Sequence, residues 1–414
     1  MQIASPLALP CGITLANRIA KSATSEALAH RETGRLDQNL VKLYERWGAG
    51  GAGLLITGNV VVHRDGRTEP GNVVLDSRED LPMLTAWATA AQAKGAHLIM
   101  QINHAGRQTP RRISSDTVGP SAIGLKGKAG LFAVPRALTD GEIRALVARF
   151  ADGAAIAVEA GFAGVQVHAA HGYLISQFLS PLTNQRTDEW GGDTARRMKF
   201  LLDVVRATRS RIGPTKILSV KLNSADFQRG GFSNEDAIEV VRALETEGID
   251  LLEISGGSYE SSAMMGADSA RSKAREGYFL DFAKQIRSHT KLPLMLTGGL
   301  RSAAVMNEIV GRDIDIVGMA RPLIAEPDLP QRMIAGTADG AAPQLRRISM
   351  RMADDILQIA WYQRQLRRMG QGLHPHPTLG RWSSVVVGFF RNYAFNPFSV
   401  RRRRAPLALS QETR

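Results

Sequence analysis

GFAGVQVHAAHGYLISQF, residues 161–178, is the stretch on which the fold reading turns. It opens on Gly161, runs through a short apolar segment at 163–167, and ends in His168, His171 and Tyr173. Just before it, Thr139 and Glu142 have the spacing of a helix capping box. Ile143, Leu146, Val147 and Phe150 then recur at helical period, and Gly161 is placed to end that helix. Helix, glycine, buried strand and polar cluster form one unit of a β–α alternation. Seven further apolar runs, at 19–23, 53–57, 97–102, 216–222, 250–254, 293–297 and 314–318, make eight candidate strands. None alternates strictly with polar residues, which fits strands buried on both faces. Ser233 and Asp236 open another helix, continued by Ile238, Val241 and Leu244 and stopped near Gly248. Eight successive units predict a (β/α)8 TIM barrel. A doubly wound sheet is the alternative, and the unbroken series favours closure.

Barrel enzymes carry their chemistry at the C-terminal ends of the strands. On the predicted boundaries His168 follows strand four directly. Equivalent ends carry Ser25, Gly58, Gln101 with His104, Lys221 with Asn223, Ser255-Gly256-Gly257, Gly298-Gly299 and Ala320-Arg321. His168 and His171 have three readings: packing residues, metal ligands, or two imidazole donors converging on one substrate oxygen. A metal needs a third ligand, and no recognisable one is nearby. Neutral imidazoles held at one nitrogen can polarise a carbonyl with the other, and Tyr173 can then deliver a proton. A glycine pair after strand seven and an arginine after strand eight match the usual phosphate position of barrels. Lys221 reads either as a lysine reaching solvent at the rim or as a cation beside a group that becomes anionic in turnover.

Composition narrows the rest. The chain has 414 residues, 44% hydrophobic and 22% charged, with Cys11 as its one cysteine. That excludes an intrachain disulfide and a cluster held by several thiolates of this chain. The sequence shows no signal-peptide pattern and no apolar run of about 18 residues, so a cytoplasmic protein without an integral membrane segment is expected. The formal charge of +13 is uneven: residues 346–414 hold thirteen arginines, no lysine and three acids. There, Ile356, Leu357, Ala360 and Trp361 have helical spacing, LHPHPTLG reads as an extended linker, and an apolar stretch precedes Arg401–Arg404. This basic extension suits a membrane surface, an acidic partner or a subunit contact in a homo-oligomer. No motif supports nucleic acid.

Taken together, the motifs resemble the Old Yellow Enzyme family of FMN-dependent ene-reductases. The resemblance covers roughly residues 1–340. It rests on HAAHGYLISQFLSPLTNQRTDEWGG and on NRIAKSATSEALA, QINHAGRQ, VKLNSADF, LTGGL and GMARPLI, in that family's order. It implies a barrel at 1–345 with an appended extension at 346–414, FMN in the barrel mouth, and NADPH or NADH as reductant. By motif position it implies Ala23, Thr24, Ser25, Gly58 and Gln101 along the isoalloxazine and Lys221 at its N1/O2 edge. Ser255 and Gly256 belong to the same cofactor set, with Gly298, Gly299, Ala320 and Arg321 at the phosphate. His168 and His171 would bind the oxygen of an enone or enal substrate, and Tyr173 would protonate its α-carbon. Many relatives have Cys or Thr at Ser25 and Arg at Lys221. Two other functions remain open from sequence: oxidation on the same flavin, as in desaturation or demethylation, and a flavin-binding partner protein that docks through its basic tail.

Overall fold

The computed structural model describes residues 1–127, 130–256, 260, 277, 279–341 and 351–389. Its centre is a closed barrel of eight parallel strands: β1 (Ile19–Lys21), β2 (Leu54–Ile56), β3 (His97–Asn103), β4 (Gly164–Ala169), β5 (Ile217–Asn223), β6 (Leu251–Ser255), β7 (Leu294–Thr297) and β8 (Ile316–Met319). Each pairs with its neighbours in sequence, β8 pairs with β1, and β2 with β3. The eight apolar runs are therefore the eight staves, each displaced by at most two residues at either end. One displacement matters. β4 extends to Ala169, so His168 lies inside the strand rather than after it.

Why these segments adopt these forms is local. Thr139 and Glu142 do make the reciprocal capping box that starts the helix Asp140–Glu159, and Ser233 with Asp236 does the same for Asn234–Thr246. Both caps pair amide donors that a bare helix end leaves unsatisfied. Gly164 is required where β4 meets β5. A Cβ there would lie 2.0 Å from the carbonyl oxygen of Ile217. An antiparallel hairpin, Leu7–Ala8 with Thr14–Leu15, caps the N-terminal end of the barrel. Its Leu9 and Leu15 join Ala20, Leu54, Ile56, Ile99, Ile217, Leu251, Met295 and Ile316 in a buried apolar layer.

Within the extension expected at 346–414, the first described helix is Arg351–Gly370. Leu357 and Trp361 are buried, and Trp361, Leu366 and Met369 join the main core. Ile356 of the same helix faces outward, 53% exposed. Gly370 sits against the carbonyl of Asn39, in the helix Gln38–Gly48. The linker that follows is clamped back by Gln365, which donates to the carbonyl of His376 and accepts from its amide (2.9 and 2.8 Å). A second helix, Arg381–Phe389, follows. Arg401–Arg404 and Gly257 lie outside the described residues. Among the described residues, no helix is long and apolar enough to cross a membrane.

Candidate active site at the C-terminal rim

Strand register assembles the site. Lys221 is the Cα partner of His168 on one side and of Glu253 on the other. His168 and Lys221 are buried, and Glu253 is fully so. Lys221 does not reach solvent. Its Nζ donates to Glu253 Oε1 at 2.9 Å. Glu253 also accepts from Gln166 Nε2 at 2.8 Å and from Thr297 Oγ1 at 2.7 Å. Gln166 in turn accepts from Gln101 Nε2 at 2.8 Å. A buried ion pair survives only when its remaining hydrogen-bonding capacity is satisfied, and these neighbours satisfy it. Glu253 and Gln166 lie at strand positions that sequence inspection passed over.

The two histidines and Tyr173 form one cluster. The ring centroids of His168 and His171 are 5.1 Å apart, and Tyr173 lies 4.8 Å from the first and 6.5 Å from the second. Each imidazole is held at a different nitrogen. His168 Nδ1 accepts from the amide of Ala170 at 3.2 Å, which leaves Nε2 protonated and facing outward from that bond. His171 is held through Nε2, 2.8 Å from Ser255 Oγ. Its backbone is in the left-handed region at φ 63, which is uncommon for a side chain of this size. The conformation is pinned on both flanks: its amide donates to Asn223 Oδ1 at 3.1 Å, and its carbonyl accepts from Gln108 Nε2 at 3.0 Å. Burial drives both imidazoles well below their ordinary pKa, followed for His168 by the neighbouring His171 and Lys221 and for His171 by Lys221. Both are therefore neutral at physiological pH.

The other predicted positions ring the same mouth. Ala23, Thr24 and Ser25 follow β1. Ser25 Oγ accepts from Asn59 Nδ2 at 3.2 Å. Gly58 follows β2, and its amide donates to Glu26 at 2.7 Å and to the Tyr44 hydroxyl at 3.1 Å. A Cβ at Gly58 would collide with the Glu26 carboxylate and the Thr24 carbonyl. Beneath lies a second buried cation, Lys21, which bonds the Tyr44 hydroxyl and the Ile56 carbonyl. Burial lowers its pKa to about 8. Gly256 is wedged against Phe279 and Phe227. Gly298 and Gly299 take positive φ in succession at the end of β7. On the adjacent β8, Ala320 caps the short helix Arg321–Ala325. Arg321 is half-buried and makes no side-chain hydrogen bond or ion pair with the described residues. It lies within electrostatic reach of Tyr362, from the appended helix. Among the described residues, no group of three or more His, Cys, Asp or Glu is placed to hold a metal ion.

Residues 3–339 match the NADH:flavin oxidoreductase / NADH oxidase family. The chain belongs to this family. It is 37% identical over 357 residues to the NADH-dependent flavin oxidoreductase iliE of Neonectria sp., covering 80% of this chain and 46% of that protein. The chain thus spans about half the length of that relative. Against the NADH-dependent flavin oxidoreductase iccE of Talaromyces variabilis it is 34% identical over 359 residues, covering 81% of this chain and 86% of the other. Among solved structures, the old yellow enzyme homologue from Zymomonas mobilis superposes with a TM-score of 0.69 at 26% identity, over 84% of this chain and 95% of that one. The chain is an oxidoreductase of the Old Yellow Enzyme family, with FMN and a nicotinamide nucleotide as the cofactors of that chemistry. The residues present fit FMN. Consecutive left-handed glycines and an uncommitted, half-buried arginine at a helix N-terminus suit its phosphate. A rim that carries a buried cation suits a ring system that gains negative charge.

Proposed function

We propose that the chain reduces the activated C=C bond of α,β-unsaturated carbonyl compounds, with NAD(P)H as the source of reducing equivalents. The names of the relatives favour NADH. The observation that carries the reading is the pair of neutral imidazoles, held by the protein at opposite nitrogens, with Tyr173 against both. Ala23, Thr24, Ser25, Gly58 and Gln101 would hold the isoalloxazine of FMN, with Lys221 at its electron-rich edge. Gly256 would complete that wall, while Ser255 is engaged by His171 instead, and Gly298, Gly299, Ala320 and Arg321 would hold the phosphate. When bound, FMN supplies the hydride for the substrate's β-carbon.

The chain's own residues do the remainder. His168 and His171 orient the substrate oxygen and withdraw charge from the conjugated system, which makes the β-carbon electrophilic. They do so as neutral donors, because burial, and after it the nearby Lys221, opposes their protonation. Tyr173 holds the proton destined for the α-carbon. Glu253 keeps Lys221 in place, so that the cation is fixed before charge develops. Residues 1–345 would form the catalytic barrel and 346–414 an extension whose first helix is docked on it.

The histidine assignment is tested with a phenol, whose oxygen mimics the substrate's. The doubly substituted His168→Ala, His171→Ala protein should retain its flavin spectrum and lose the spectral change that a phenolic ligand produces. Unaltered phenol binding would refute the oxyanion-site reading.

A further inference from the structure

We propose that Ser255 is a positioning residue that fixes the tautomer of His171, so that His171 Nδ1 carries the ring proton and donates it as a hydrogen bond to the substrate oxygen. The inference rests on the proposed function for the identity of that oxygen. It deepens that reading by giving each histidine a defined donor atom.

A neutral imidazole has one N–H and one bare nitrogen, and the partner of one fixes the other. For His168 the matter is closed by the backbone. The Ala170 amide is a donor only, so Nδ1 is bare and Nε2 carries the hydrogen. For His171 the partner is a hydroxyl, 2.8 Å from Nε2, which can act in either sense. The surroundings choose between the two. Ser255 is buried at the end of β6, and Oγ has no other hydrogen-bond partner among the described residues. If Oγ accepted from His171, its own hydrogen would be a buried donor without an acceptor, an arrangement that native interiors avoid. Donation from Ser255 to Nε2 removes that conflict and leaves the hydrogen on Nδ1.

The backbone supports this role. The left-handed conformation at His171 is held from both sides by Asn223 and Gln108, so the ring's attachment point is fixed. Asn223 and Ser255 are themselves Cα partners in the β5–β6 register. One pair of adjacent strand ends thus controls His171 twice, through its amide and through Nε2. His168 then offers Nε2–H and His171 offers Nδ1–H, two donors in place of a donor and an acceptor.

The test is a tautomer measurement on the FMN-loaded protein, using ¹⁵N-labelled histidine and long-range proton–nitrogen correlation. Wild type should show His168 as the Nε2–H form and His171 as the Nδ1–H form. Ser255→Ala should lose the His171 preference and weaken phenol binding by about tenfold, the effect of about one hydrogen bond. FMN content should be unchanged, and Ser255→Thr should restore both properties. A wild-type His171 in the Nε2–H form would overturn the proposal. So would a Ser255→Ala protein that keeps the tautomer and loses FMN, which would make Ser255 a cofactor ligand. The expected tautomers, with phenol binding unaffected in Ser255→Ala and in the double histidine variant alike, would support the tautomer assignment and remove the substrate-oxygen reading beneath it.

Discussion

At the N-terminal end of the barrel, Ile99, Ile217, Leu251, Met295 and Ile316 meet Leu9 and Leu15 of the hairpin in a buried apolar cluster. Two or four residues further along the same strands stand Gln101, Lys221, Glu253 and Thr297, joined in one hydrogen-bonded network. Side chains on one face of a strand recur every second residue. Ile217, Ser219 and Lys221 are therefore successive inward positions of β5, and Leu251, Glu253 and Ser255 those of β6. The interior changes from oil to ions within the length of one strand. The lower layer gives cohesion, and the upper layer spends some of it on placing charge where the cofactor and substrate are proposed to meet.

That division predicts which substitutions cost activity and which cost stability. Tyr173→Phe removes a proton donor from the upper layer and changes little else. Enone reduction should slow by roughly 10²–10⁴, with the thermal midpoint within a few degrees of wild type. Rapid-mixing reoxidation of the reduced protein by 2-cyclohexenone measures this, and an unchanged rate would remove Tyr173 from the mechanism. Glu253→Ala strands the buried Lys221 cation. It should destabilise the fold by about 3–5 kcal/mol in urea denaturation. A loss below about 1 kcal/mol would show that Lys221 does not depend on this carboxylate. Leu251→Ala, one inward step below Glu253, should cost about 2–5 kcal/mol through the cavity it leaves, while the folded fraction keeps wild-type turnover. Impaired turnover per folded molecule would contradict the separation of the layers.

A smaller effect follows from the buried histidines. His104, His168 and His171 all have folded-state pKa values lowered chiefly by burial, His104 to about 3. Unfolded histidine takes up a proton near pH 6.5 while the folded rings stay neutral. Their contribution is thus complete above about pH 6.5 and is lost as pH falls below it, by about 1.4 kcal/mol per pH unit for each ring. Urea midpoints between pH 7 and 5 should fall, and less steeply in His104→Asn. An equal slope in that variant would show that His104 is not buried neutral.

The staves and both helix starts were legible in the sequence because each is a local pattern, and strand-end position singled out the residues proposed for the rim. Period, cap spacing and strand-end position need only neighbouring residues. What escaped was cross-strand. Lys221 and Glu253 are 32 residues apart, and only the β5–β6 register makes them partners. Within DLLEIS, residues 250–255, the glutamate looks like an ordinary polar punctuation of an apolar run. The strands read as buried on both faces because their inward positions change character midway, which hides the alternation that would have singled out Gln166 and Glu253. His168 was placed one residue beyond β4 for a related reason: a strand end is set by its hydrogen-bonding neighbour, here β5, and Ala169 still pairs with Leu222. In the extension, helical spacing was legible but the buried face was not, and it is Leu357 and Trp361 that turn inward and Ile356 outward.

On the proposed function, this rim passes reducing equivalents from a nicotinamide nucleotide to an activated alkene. A two-step anaerobic titration of the purified protein tests it most directly. NADH is added while the visible flavin bands are followed, and 2-cyclohexenone is then added without oxygen. The bands should bleach in the first step and recover in the second. Bleaching without recovery would contradict the alkene as acceptor. A protein that stays colourless after incubation with FMN would contradict the cofactor site itself.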